Sequence, residues 1–222
     1  MRIIEGVYKA DGVVANSYVV TGKKHAIIDC GMPHNASKII KTVKEAGLSP
    51  KEISFILLTH AHVDHTGSAA KVKANTGAKI AIHEQDAGYL TGEKSFAFPR
   101  GIKGLLFRIA SPFILSRVEP DMLLKDGDLV GGFEVIHIPG HTEGSCAYLH
   151  RSTKSLFIGD SISTEQDSLS LPPEIYNFDT QMLKKSLQKI RELEFDNLFP
   201  GHGEPIIGKA SEKVKKFVER LA

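Results

Sequence analysis

Leu57-Leu58-Thr59-His60-Ala61-His62-Val63-Asp64-His65-Thr66-Gly67 follows a nearly unbroken apolar run that starts at Ile53. A run with so little polar alternation reads as a strand covered on both faces. The segment after it, 66–75, reads as a helix ended by Gly77. The turn between them carries three imidazoles and one carboxylate within six residues. These are donor types that zinc takes in catalytic sites. Asp64 and His65 are neighbours, so their side chains diverge. Two ions sharing the turn is a simpler geometry than one ion collecting all four groups.

On the N-terminal side, residues 1–30 read as short strands, with Val13-Val14, 17–20 and 26–28 as their apolar runs. Asn35 is placed to cap a helix reaching Ala46, and Gly47 and Pro50 end it. On the other side, Lys79-Ile80-Ala81-Ile82-His83 is a further strand. Strand, helix, strand, helix, strand implies an α/β core. Beyond a Gly-, Pro- and Phe-containing stretch, 134–138, 146–150 and 155–158 read as strands, 179–193 as a helix, 197–199 as a strand and 211–221 as a closing helix.

The same local grammar recurs three times. Ile138-Pro139-Gly140-His141, Phe157-Ile158-Gly159-Asp160 and Phe199-Pro200-Gly201-His202 each place a donor just past a strand, beside glycine. In α/β sheets, ligands gather beyond the carboxyl ends of strands. Seven protein donors with one shared carboxylate suit two metals with an open position between them.

His60-Ala61-His62-Val63-Asp64-His65, with His141, Asp160 and His202 in later turns, resembles the metallo-β-lactamase superfamily from the N-terminal strands to Gly203. No composition break suggests a linker, so residues 1–222 read as a single domain, and the resemblance implies a four-layer αββα sandwich with the site at one edge. It implies that His60, His62 and His141 hold one metal, that Asp64, His65 and His202 hold the other, and that Asp160 bridges them. Two divalent ions, zinc before iron or manganese, are expected. The full second set is similar to the short glyoxalase II-like and lactonase-like branches. Lactam-cleaving members tend to carry cysteine where Asp160 stands. The expected reaction is hydrolysis of a thioester, lactone or related ester by a metal-bridging hydroxide. Asp64 is expected to orient the nucleophile and pass its proton to the leaving group. The alternatives are an iron-dependent persulfide dioxygenase using the His60 turn, His141 and Asp160, a phosphoesterase or nuclease of the same fold, and a binding member without activity.

Composition bounds these readings. The chain of 222 residues is 41% hydrophobic and 24% charged, ordinary for a globular protein. No charge-free apolar run reaches the ~18 residues of a membrane span. A net charge of +2 gives no reason to expect a nucleic-acid partner. The expected partner is a small-molecule substrate, with a homodimer as the default assembly. Cys30 and Cys146 read as inert buried thiols in a cytoplasmic protein.

Other residues carry weaker expectations. Asp29 is divided between a hydrogen bond behind the ligands and a plain turn. His83 and His137 read as packed, His25, His34 and His150 as solvated. Asn177 and Asp179 read as turn formers, and Tyr176 is a better candidate for the substrate side than either. The apolar, basic-flanked stretch 101–116 reads as a packed helix pair, a dimer contact or a lid.

Overall fold

The computed structural model describes residues 1–95, 117–165 and 168–221; the stretch 101–116 lies outside the described residues. In the first half, β1 (Arg2–Ile4), β2 (Val7–Lys9), β3 (Tyr18–Val20) and β4 (His25–Ile28) precede α1 (Ala36–Glu45). Then come β5 (Ile53–Leu57), α2 (Val63–Thr66), α3 (Ala69–Thr76), β6 (Lys79–His83), α4 (Glu84–Thr91) and β7 (Met122–Leu124). These strands form a seven-stranded sheet in chain order. β4 to β7 pair parallel, and the earlier strands pair antiparallel.

The second half supplies β8 (Leu129–Val130), β9 (Phe133–His137), β10 (Cys146–His150), β11 (Ser155–Gly159), the small hairpin β12 (Ser163–Glu165) and β13 (Ser168–Ser170), α5 (Thr180–Ser186), β14 (Asn197–Pro200), β15 (Ile206–Ile207) and α6 (Ala210–Glu219). Its sheet runs β15-β14-β11-β10-β9-β8, with β11 and β14 parallel.

Side-chain alternation along the strands shows four layers. On β4 and β5, Ile27 and Ile56 join Ile39 and Val43 of α1 and Val72 of α3 in one apolar cluster. Their neighbours Ile28 and Leu57 turn the other way, onto Tyr148, Phe157 and Phe199 of the second sheet. The opposite faces of β10 and β11, through Leu149, Leu156 and Ile158, pack on Leu183 of α5 and on Val214 and Val218 of α6. Helices, sheet, sheet and helices thus sandwich three cores, giving the αββα fold. Each fully buried Val, Leu or Ile contributes about 1.5–3 kcal/mol. Between the sheets, Phe157 and Phe199 stack at 4.8 Å, and Tyr18 meets them edge-on at 5.5 and 5.2 Å. No helix among the described residues is long and apolar enough to cross a membrane.

The helix expected over 66–75 is broken in two at Gly67-Ser68. Gly67 packs directly on Pro33, where a Cβ would collide with the proline ring. Asn35 stands at the N-terminus of α1 but its side chain makes no cap. Ser68 Oγ accepts from the Asn35 and Ala36 amides instead, at 2.9 and 3.1 Å. The break in one helix therefore caps another. Over 179–193, Asp179 caps α5 through the Met182 amide, but the α-helix stops at Ser186 and continues as 3₁₀ turns. Val13-Val14 forms no strand, and Val14 is exposed. His150, expected in solvent, is buried and stacks on Phe133 at 4.5 Å.

His83 ends β6 and stacks on His137 at the end of β9, with ring centroids 3.9 Å apart. Burial, aided by the His137 ring, lowers the His83 pKa from 6.5 to about 4 despite nearby Glu84, Asp126 and Asp128. The unfolded chain therefore takes up this proton near pH 6.5, and the folded chain only near pH 4. Stability held above pH 6.5 drains away as pH falls to 4, at about 1.4 kcal/mol per unit of separation. Urea unfolding of His83→Asn, which keeps a good cap for α4, should show a shallower loss over that window. Equal slopes for variant and parent would show that His83 charges as readily in the fold as outside it.

Candidate metal centre

Every sequence-expected donor lies past the carboxyl end of a strand. The His60–His65 turn follows β5, and His141 follows β9. Asp160 comes directly after β11, and His202 lies two residues beyond β14. Because the two sheets face each other, these turns meet along one edge of the sandwich.

The structure brings all seven side chains together in two adjacent groups, His60, His62 and His141 in one and Asp64, His65, Asp160 and His202 in the other. Within each group the donor atoms lie within 4.8 Å of one another. Donors about 2.1 Å from a tetrahedral zinc stand about 3.4 Å apart, so a spread of at most 4.8 Å is within a small side-chain adjustment of that spacing. His62 Nδ1 and His141 Nε2 are 3.0 Å apart. Asp160 reaches both groups: Oδ1 is 3.2 Å from His65 Nε2, and Oδ2 is 3.3 Å from His202 Nε2 and 3.6 Å from His141 Nε2. His202 Nε2 also lies 3.2 Å from Asp64 Oδ2.

Proton bookkeeping fixes which nitrogens face the centre. Asp29, 2% exposed, accepts from the Thr59 amide, the Thr59 hydroxyl and His65 Nδ1, each at 2.8 Å. Thr59 has one hydroxyl proton and gives it to Asp29, so its oxygen must accept from His60 Nδ1, 3.0 Å away. Both His60 and His65 thus carry a proton on Nδ1 and turn Nε2 inward. Asn177 does the same for His141, its Oδ1 accepting from Nδ1 at 2.9 Å while its amide donates to Thr180 Oγ1. Asp29, left undecided from sequence, is the anchor of the cluster, and Asn177, read as a turn former, holds a histidine.

The electrostatics divide the groups. Burial, with neighbouring imidazoles, holds His60 well below its ordinary pKa and takes His62 down to about 3. Burial also lowers His141. These rings are neutral, as metal binding requires. In the second group, burial opposes charging of His65, but Asp160 and Asp29 overcome it and raise its pKa well above the ordinary value. Hydrogen bonds to Asp160 and Asp64 push His202 up to about 9. Burial would raise Asp64, yet the His202 hydrogen bond and the His65 charge pull it below its ordinary value. Asp160 is likewise buried, and His65 and His202 hold it far below the carboxylate range. Two protons here offset two carboxylates, the charge a divalent cation would supply.

These residues fit such an ion on a further ground. His60 Nε2, His65 Nε2 and Asp160 Oδ1 are buried and make no hydrogen bond among the described residues. Orphaned buried atoms of this kind are rare in folded proteins. All of them point into the cluster.

Two further supports escaped the sequence reading. Asn16 Nδ2 donates to the carbonyls of Pro200 and Gly203, at 3.0 and 2.7 Å, and holds the His202 turn. Asp86, wholly buried in α4, binds the turns of His60 and His141.

Comparison with known proteins agrees with this architecture. The family model described as the metallo-beta-lactamase superfamily matches residues 10–202. A probable metallo-hydrolase of Bacillus subtilis, YflN, is 28% identical over 92% of this chain and 86% of its own. The hydroxyacylglutathione hydrolase GloC of Haemophilus influenzae is 32% identical over 62% of this chain and 61% of its own. Among solved structures, TTHA1623 in a di-iron-bound form superposes with a TM-score of 0.71 and 25% identity, covering 95% of this chain and 98% of that one.

Gly201 lies against the cluster: a Cβ there would run into Asp160 Oδ1 and stand 2.7 Å from His65 Cε1. Gly201→Ala should displace the Asp160 carboxylate, lower stability by about 1–3 kcal/mol and reduce retained metal. Chemical denaturation together with elemental analysis reads both effects. Full stability with full metal content would show that the carboxylate has room to move.

Proposed function

The chain belongs to the metallo-beta-lactamase superfamily, and we propose that it is a dinuclear metal-dependent hydrolase of thioesters, lactones or related esters. The observation that carries this reading is the convergence of seven donors in two groups spanned by Asp160, with three buried donor atoms unsatisfied. His60, His62 and His141 would hold one ion, Asp64, His65 and His202 the other, and Asp160 would bridge them. Zinc is the first expectation for both, and the di-iron form of TTHA1623 makes iron the second. Bound there, the ions would lower the pKa of water towards ~7 and polarise a carbonyl oxygen.

The chain's own groups supply the rest. Asp160 is buried, with one oxygen facing His65 and the other facing His202 and His141, so it is suited to holding and not to proton traffic. Asp64 is ionised at neutral pH and its side chain is 27% exposed. It can accept a hydrogen bond from an attacking water at the mouth of the site and hand a proton to a departing alcohol or thiol. Asp29, Thr59 and Asn177 keep the imidazole Nε2 atoms turned inward throughout.

The relative named hydroxyacylglutathione hydrolase supports an acyl substrate. Use of a single ion, as in the persulfide dioxygenase reading, would leave Asp64, His65 and His202 without a task, although they are gathered in one group. Both cysteines are free and buried, which supports a reducing compartment such as the cytoplasm.

Elemental analysis of the purified protein should find two ions per chain. A panel of thioesters, lactones, phosphoesters and glutathione persulfide should reveal hydrolysis that a chelator abolishes and zinc restores. Asp64→Ala should lose on the order of 10²–10⁴ in kcat with an unchanged circular dichroism spectrum. Chelator-insensitive turnover would overturn the metal reading. Near-normal turnover of the variant with both ions retained would overturn the role of Asp64.

A further inference from the structure

Asp86 is not one of the seven donors, yet its carboxylate touches both turns that supply the first group. It sits in the first turn of α4, wholly buried. Oδ2 accepts from the Ala61 amide at 2.8 Å and from the Thr142 hydroxyl at 2.8 Å, while Oδ1 accepts from the Gly144 amide at 2.7 Å. Ala61 stands between His60 and His62, and Thr142 follows His141. Those turns come from opposite sheets, after β5 and after β9. The 142–145 turn folds tightly round the carboxylate: Ser145 Oγ accepts from the Thr142 amide and pairs with its hydroxyl. At Gly144 a Cβ would lie 2.8 Å from Asp86 Cβ and Cγ, so the turn admits no side chain there.

We propose that Asp86 is a positioning residue that sets the approach of the His60–His62 turn to His141, and through it the affinity for a cation in that group alone. This rests on the two-ion reading above. The second group has anchors that Asp86 does not share: Asp29, which stands behind His65 and, through Thr59, also behind His60, and Asn16 behind the His202 turn, neither of which contacts Asp86 through a hydrogen bond among the described residues. A carboxylate is needed because all three of its partners are donors. Asn can satisfy at most two of them before its NH₂ faces an N–H or O–H. The residues behind metal ligands typically govern affinity 10–100-fold.

The test uses the full chain stripped of metal and titrated with Co²⁺, followed by visible absorption and calorimetry. The parent protein should show two binding events. In Asp86→Asn one event should weaken about 10–100-fold while the other is unchanged. Thr142→Val, which removes one of the three bonds, should weaken the same event by less. Thermal unfolding of each metal-free variant separates positioning from bulk stability. Two unchanged events in Asp86→Asn, or both weakened together in step with a fall in Tm, would overturn the proposal. Should Asp86→Asn fail to fold, selective weakening in Thr142→Val upholds it, and unchanged or uniform affinity overturns it. A parent protein that binds fewer than two ions would overturn the two-ion reading itself, whatever the variants do.

Discussion

One buried carboxylate organises the centre. Asp29 accepts the hydrogen bond of the Thr59 hydroxyl and so obliges that oxygen to accept from His60 Nδ1, and it accepts from His65 Nδ1 directly. Two imidazoles are thereby fixed in tautomer and orientation by a group that stands behind them. A charge with no contact to water is costly to bury unless its hydrogen bonds are complete. Asp29 meets that condition with the Thr59 amide, the Thr59 hydroxyl and His65. It does so from a left-handed backbone conformation, φ 56°, that few residues other than asparagine, aspartate and glycine adopt readily.

The remaining turns repeat this logic with other chemistry. Asn177 orients His141, Asn16 fixes the carbonyls round His202, and the buried hydroxyls of Tyr18 and Tyr148 reach Pro200 O and Leu58 O at 2.7 Å each. Both tyrosines belong to the core between the sheets. The same side chains that exclude water from that core also tether the backbone at its edge. Packing and site geometry are therefore not separable here.

Much of this was legible in the sequence because it is local. The unbroken run from Ile53, the four donors crowded from His60 to His65, and the glycine-flanked His141, Asp160 and His202 each announce themselves within a few residues. The supports are not local. Asp86 meets partners 25, 56 and 58 positions away, and Asn16 meets the 200–203 turn from more than 180 positions away. Nothing near Asp86 in the chain distinguishes it from an ordinary acidic first turn of a helix. Ser68 as the cap of α1 is of the same kind: Asn35 has the right chemistry and position, and a hydroxyl from another element takes the task.

Each of the two donor groups draws on both halves of the chain. His60 and His62 meet His141, and Asp64 and His65 meet Asp160 and His202. Neither half can assemble a complete set by itself, so the first set cannot close until the chain has grown past His141, nor the second until it has grown past His202. Capture of ions at the proposed centre would then be a late event that records closure of the sandwich. A damaged or half-folded copy would be betrayed by its failure to hold them.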